Sequence, residues 1–217
     1  MSSVNERRQR LILDLMAGRV SSDEFARAFS VRPDELCGLG LKLLDEAYDE
    51  ESPDGVEFGL YLGYYFGFSG AYFDVLSRLA VVDWHRRHED VVSALDMFRN
   101  PKAIDALFRS ALMQHSYLEY DETFALGRKA IWALHKIGTP EAVEAIGKLL
   151  HSDNPVIKDR AAEHLVSIER EDPSETVRNA AKQALAASQH NIEDDRNRPT
   201  DETNATIPTP EEWSQPR

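Results

Sequence analysis

The hydrophobic positions of this chain recur at intervals of three and four, the spacing that lines one face of an α-helix. Ile104, Leu107 and Ala111 follow this rule, and so do Val143, Ile146 and Leu149-Leu150. Each run begins with a proline at its opening position, Pro101 or Pro140, where the missing N–H costs nothing. Asn100 and Thr139 stand just ahead as helix caps. A second helix in each unit is predicted after a polar turn, near Asp121 and again near Asn154-Pro155. The first of these ends at Gly138, a residue able to take the left-handed cap conformation.

These helices come in copies. Val91–Phe98 aligns with Ala130–Ile137, and Asn100–Leu107 with Thr139–Ile146, both at a step of 39 residues. A shorter step of 31 relates Ala130, Leu134 and Ile137 to Ala161, Leu165 and Ile168. A partial copy follows at Val177–Leu185, where the step from Leu165 to Leu185 is 20 and leaves no room for a full pair. That copy is expected to act as a terminal cap. A lone helical hairpin cannot bury its apolar stripe, so neighbouring units must stack.

Ahead of residue 88 the pattern stays helical but leaves the repeat register. Val4–Met16 predicts one helix, and Ser21-Ser22-Asp23-Glu24 has the form of a capping box opening another through Phe25 and Phe29. Pro33 opens a longer one through Leu44 and Ala47, expected to break at Asp54-Gly55. Phe58–Phe68 then predicts an interior aromatic helix whose Gly59, Gly63 and Gly67 share a face. Tyr72–Val82 supplies the first helix of the opening repeat. The expected organisation is a helical region over 1–69, repeats over 70–188, and an acidic, Pro-containing tail over 189–217. That tail is too poor in aliphatic residues to order itself.

The run Arg128–Val143 resembles the HEAT repeat, in the bacterial variant also found in phycobilisome lyases. The resemblance spans roughly residues 88–187 and implies an all-α fold, a short α-solenoid of helical hairpins behind an N-terminal helical cap. It fixes no chemistry.

Charge sharpens this picture. The chain has 217 residues and a net charge of −13. Residues 34–57 hold nine acids and one lysine, whereas residues 1–33 are slightly basic. Such a field repels nucleic acid and anionic membrane and speeds encounter with a basic protein. The single cysteine excludes an internal disulfide. The first residues lack the pattern of a secretory signal, and no apolar run is long enough to span a bilayer, so cytoplasm is the expected compartment.

Residues suited to catalysis are sparse. No Gly-rich phosphate loop or nucleophile elbow is present, and Cys37 falls on an apolar helix face. His85 and His88 lie close together with carboxylates nearby, but two arginines separate them and the segment reads as a polar turn, not a metal site. No enzyme activity, cofactor or metal is expected.

The candidate contact surface is the exposed face of the second helices. Opposite the apolar arc of 124–137 lie Asp121, Arg128, Trp132, His135 and Lys136. The repeat steps place Glu89, Ser93 and Asp96 beside them on one side, and Asp159 and Glu163 on the other. This face is expected to be mainly acidic with Trp132 at its centre. The turn with Tyr117, Glu119, Tyr120 and Asp121 closes one end, and Asp45, Glu46, Tyr48 and Asp49 repeat the blend of tyrosine and carboxylate. The whole arrangement, from the Leu11–Phe29 pattern through Asp83–Asp90 to Tyr117–Ala133, is similar to bacterial HEAT-like proteins that serve as immunity partners of toxins. That resemblance implies a basic toxin domain as partner and neutralisation by occlusion. A scaffold for a host enzyme complex, or a phycobilisome-lyase-like chaperone, would use the same fold.

Overall fold

In a computed structural model the backbone is described for residues 2–197 and side chains for residues 6–188. Eleven α-helices and no strand occur among these residues. They run α1 (Ser2–Met16), α2 (Ser22–Phe29), α3 (Leu36–Asp49), α4 (Pro53–Phe66), α5 (Phe73–Leu79) and α6 (His88–Phe98). Then follow α7 (Ile104–Leu112), α8 (Ala125–Ile137), α9 (Pro140–Leu149), α10 (Pro155–Glu171) and α11 (Glu175–Asn197). Helices α5 onward pack in order, α6 on α8 and α8 on α10, with α7 and α9 behind them. This is a short HEAT-like α-solenoid.

Local sequence explains where the helices start and stop. Ser21 accepts the Glu24 N–H while the Glu24 carboxylate accepts the Ser21 N–H at 2.8 Å, the reciprocal capping box expected there. Thr139 and Asn154 cap α9 and α10 with a proline behind each. Gly138 ends α8 at φ +66. The terminal copy is the single helix α11, lying against α9 and α10.

Three expectations change in the N-terminal part. The break after α3 falls at Glu50–Ser52, and Asp54-Gly55 belongs to the first turn of α4, because Ser52 caps Gly55 N–H and Pro53 opens the helix. The α4 glycines do not meet one partner. Gly59 lets α3 approach, since a Cβ there would stand 3.1 Å from the Leu44 amide nitrogen, whereas Gly67 ends the helix at φ +99. Cys37 is only half-buried, and its thiol contacts the Gly67 carbonyl oxygen at 3.1 Å. At the other end α11 continues to Asn197, and positions 198–217 of the expected tail lie outside the described residues.

Two apolar clusters hold the molecule. A small one joins Ile12, Leu15, Phe25, Leu36, Leu39 and Leu62. A long one runs without interruption from Leu44 to Ala181. Helices α3 and α4 contribute to both, so the N-terminal helices are fused onto the solenoid. Each buried leucine such as Leu134 contributes about 2 kcal/mol of transfer free energy. Among the described residues no helix is long and apolar enough to cross a membrane.

Candidate interaction surfaces

Stacking α6, α8 and α10 side by side brings their exposed faces together. Between α6 and α8, Lys129 pairs with Glu89 at 3.0 Å and Lys136 with Asp96 at 2.5 Å. Between α8 and α10 lies a groove of about 530 Å³ lined by Arg128, Lys129, Trp132, His135, Arg160, Glu163, His164 and Ser167. His135 and His164 share a hydrogen bond between their Nδ1 atoms at 2.8 Å. One ring must donate and the other accept, so the pair cannot be doubly protonated. Burial holds both below the usual histidine range, His164 at about 4. Trp132 is 49% exposed between these rings.

This lining departs from the acidic face expected. Glu89 and Asp96 lean onto the lysines of α8, and Glu163 pairs within its own helix with Arg160 at 2.6 Å. Asp159 is exposed outside the groove. The groove lining holds three cations, Arg128, Lys129 and Arg160, against the single carboxylate of Glu163, and Lys129 and Arg160 are already paired. Lys129, Arg160 and His164 were not singled out from the sequence, although their helical spacing from Trp132 and Glu163 carries the signal.

The carboxylates collect elsewhere, along the edge formed by the α3–α4, α5–α6 and α7–α8 loops. A recess of about 550 Å³ there is lined by Tyr48, Glu51, Asp83, Trp84 and Met113 among others. Met113 also borders a second recess of about 340 Å³, whose rim bears Glu119, Asp121 and Glu122 above Leu118, Phe124 and Leu126. Asp49, Glu50, Glu51, Asp83, Glu119 and Glu122 form no ion pair among the described residues. Tyr120 is 81% exposed beside them.

A core of histidines fixes this edge. His85, His88 and His115 stack with ring centroids 4.0 and 3.8 Å apart. His88 donates from Nε2 to the Val82 carbonyl at 2.6 Å and accepts the Tyr117 hydroxyl on Nδ1 at 2.8 Å. His85 donates to the Leu79 carbonyl at 2.9 Å and accepts the Arg87 N–H at 3.0 Å. Both patterns require a neutral imidazole. Burial agrees, lowering His85 and His115 and pushing His88 down to about 3. The rings lie face to face, and among the described residues no group of three ligating side chains is placed to hold a metal ion. Phe124 takes φ +51, a costly conformation for a bulky residue, at the point where the loop enters α8.

The other sequence-selected residues divide between structure and surface. Asp45 pairs with Arg78 at 3.1 Å, and Glu46 with Arg8 at 3.4 Å and Lys42 at 3.8 Å. Tyr48 lies under the Arg78 guanidinium, 4.3 Å from ring centroid to Cζ. Tyr117 is held by His88, and Asp121 caps α8 by accepting the Ala125 N–H at 2.7 Å. Asp49, Glu119 and Tyr120 face solvent.

With this geometry in hand, residues 126–152 match the family described as the PBS lyase HEAT-like repeat. The match covers α8 and α9, one helical pair of the solenoid, and agrees with the HEAT-like stacking of the helices. No curated protein matches the chain.

Proposed function

We propose that the protein acts by binding a basic protein along its loop edge and does no chemistry of its own. The observation carrying this reading is the row of unpaired carboxylates from Asp49–Glu51 through Asp83 to Glu119 and Glu122, with the exposed Tyr120 and the half-buried Trp84 among them. Uncompensated charge of one sign steers an opposite partner, and exposed aromatics supply contact area. The buried histidine stack supports the reading, because it holds the loops in one shape before a partner arrives. In its finer form the partner is a toxin domain, neutralised by stoichiometric occlusion inside the producing cell. A scaffold role in a host complex is the second reading, favoured by the HEAT-like repeat match.

The test has two stages. The chain is used as bait in its native host, and the recovered partner is then studied with the Glu119→Lys/Glu122→Lys variant. A basic toxin domain whose association slows with added salt, and whose toxicity returns when this variant replaces the native chain, is the expected result. Recovery of a housekeeping complex would transfer the function to scaffolding. Association indifferent to both salt and the charge reversal would remove the loop edge from consideration.

A further inference from the structure

The groove between α8 and α10 has a character opposite to that of the loop edge and is not explained by packing. Lys129 and Lys136 are used in joining α8 to α6, and Arg160 is paired with Glu163. Arg128 forms no ion pair among the described residues, although its charge reaches the Asp121 carboxylate, and it stands one helical turn before Trp132 on the same face. Lys136 stands one turn beyond, its Nζ 5.2 Å from the Trp132 ring centroid. The result is an Arg128–Trp132 pair on α8, with His135 beside it, facing Arg160 and His164 of α10 across an open groove. An indole left half exposed forgoes burial that a repeat protein could readily provide, and tryptophan flanked by arginine is a frequent anchor of interfaces.

We propose that this groove docks an acidic segment of a second partner protein. Arg128 clasps a carboxylate of that segment, and Trp132 packs against the chain beside it. Charge complementarity selects this occupant. The groove is locally basic although the chain carries −13, so a long polyanion such as a nucleic acid meets the repulsion of the whole molecule. A short segment with a few carboxylates responds to the nearby cations alone, because screening confines their reach to about 10 Å. The loop edge adjoins this groove at Asp121, whose carboxylate feels the Arg128 charge.

The experiment measures fluorescence anisotropy of a short fluorescein-labelled peptide of glutamate, aspartate and leucine. A lysine-for-acid control peptide and a labelled DNA duplex accompany it. Each is titrated with the full chain and with a chain ending at Asn197. The expected result is saturable binding of the acidic peptide to the full chain, weaker with salt. Arg128→Glu should weaken it at least about tenfold and Trp132→Ala about thirtyfold, while Glu51→Lys, in the loop between α3 and α4, leaves it unchanged. Trp132→Phe, which keeps most of the apolar contact, should lose less, and unchanged helical circular dichroism excludes misfolding. Tighter binding of the duplex, equal binding of the lysine control, or affinity indifferent to Arg128→Glu and Trp132→Ala would overturn the proposal. Absence of binding by either chain would do the same. Binding by the shortened chain alone would overturn the second-protein occupant and assign the groove to residues 198–217.

Discussion

Acidification from pH 7.5 to about pH 5 should destabilise the fold through its buried imidazoles. His88 has no exposure, and both ring nitrogens are engaged in a pattern only the neutral ring satisfies. Its folded-state pKa is pushed down to about 3, first by burial and then by the neighbouring His85. In the unfolded chain the same ring titrates near 6.5. A depressed histidine contributes stability that is fully present above the unfolded value and is lost as pH falls toward the folded one. At about pH 5 the unfolded ring has gained roughly 2 kcal/mol from protonation while the folded ring has gained almost none. His164, depressed to about 4, behaves alike, but solvent reaches it and screening reduces its share to about 1 kcal/mol. The two rings occupy different layers, so the effects should add to about 3 kcal/mol. Depressed carboxylates such as Asp121 lose their contribution only below about pH 4, so the window from 6.5 to 5 belongs to histidine. Urea midpoints at the two pH values measure the effect. His88→Gln, whose amide can still donate to Val82, should flatten much of the slope. A stability independent of pH over this window, or a full native slope in His88→Gln, would refute the reasoning.

Three further outcomes are expected from the packing. Gly127→Ala should cost about 1–3 kcal/mol in chemical denaturation, because a Cβ there overlaps Ile157 and sits 2.9 Å from the Ala111 carbonyl oxygen; an unchanged midpoint would mean that α7, α8 and α10 can separate freely. Asp121→Ala should lower stability by about 1 kcal/mol through loss of the α8 cap, with early hydrogen exchange at the Ala125 and Thr123 amides as its local signature. Lys136→Ala should destabilise by about 2 kcal/mol, since it strands Asp96 in a partly buried place, whereas the double change Asp96→Leu/Lys136→Leu should recover most of the loss. Equal destabilisation of the single and double variants would show that the charge pair itself, and not its desolvation, matters.

The repeat was legible in the sequence because its determinants are local. Caps at Thr139 and Asn154, prolines behind them and apolar residues every third or fourth position each act within a few residues. The surface was less legible because its determinants are offsets between helices. A repeat step of 39 identifies equivalent positions, but the lysine that meets Asp96 lies 40 residues on, and the histidine that meets His135 lies 29 on. These small shifts turned Glu89 and Asp96 into partners of lysines. They also brought Arg160 and His164, left unselected, opposite Trp132. The histidines at 85 and 88 show the same limit. Their spacing suggested a polar turn, but the third ring, His115, arrives from a distant loop and converts the turn into a buried stack.

Net charge was the least informative guide to the groove, and the reason is architectural. In a solenoid the helix faces must hold neighbouring units in register, so acids and bases there are drawn into pairs across the seams. Loops carry less of this duty, although Arg86 and Arg87 share the α5–α6 loop with Asp83 and Arg87 pairs with Glu57. The excess acid of the chain therefore gathers at the loop edge, at residues such as Glu51, Asp83, Glu119 and Glu122. The seam faces come out nearly balanced, and a single unpaired Arg128 is then enough to set the sign of the groove. The two surfaces thus differ in polarity by the logic of the fold, and they adjoin where the Asp121 carboxylate feels the Arg128 charge.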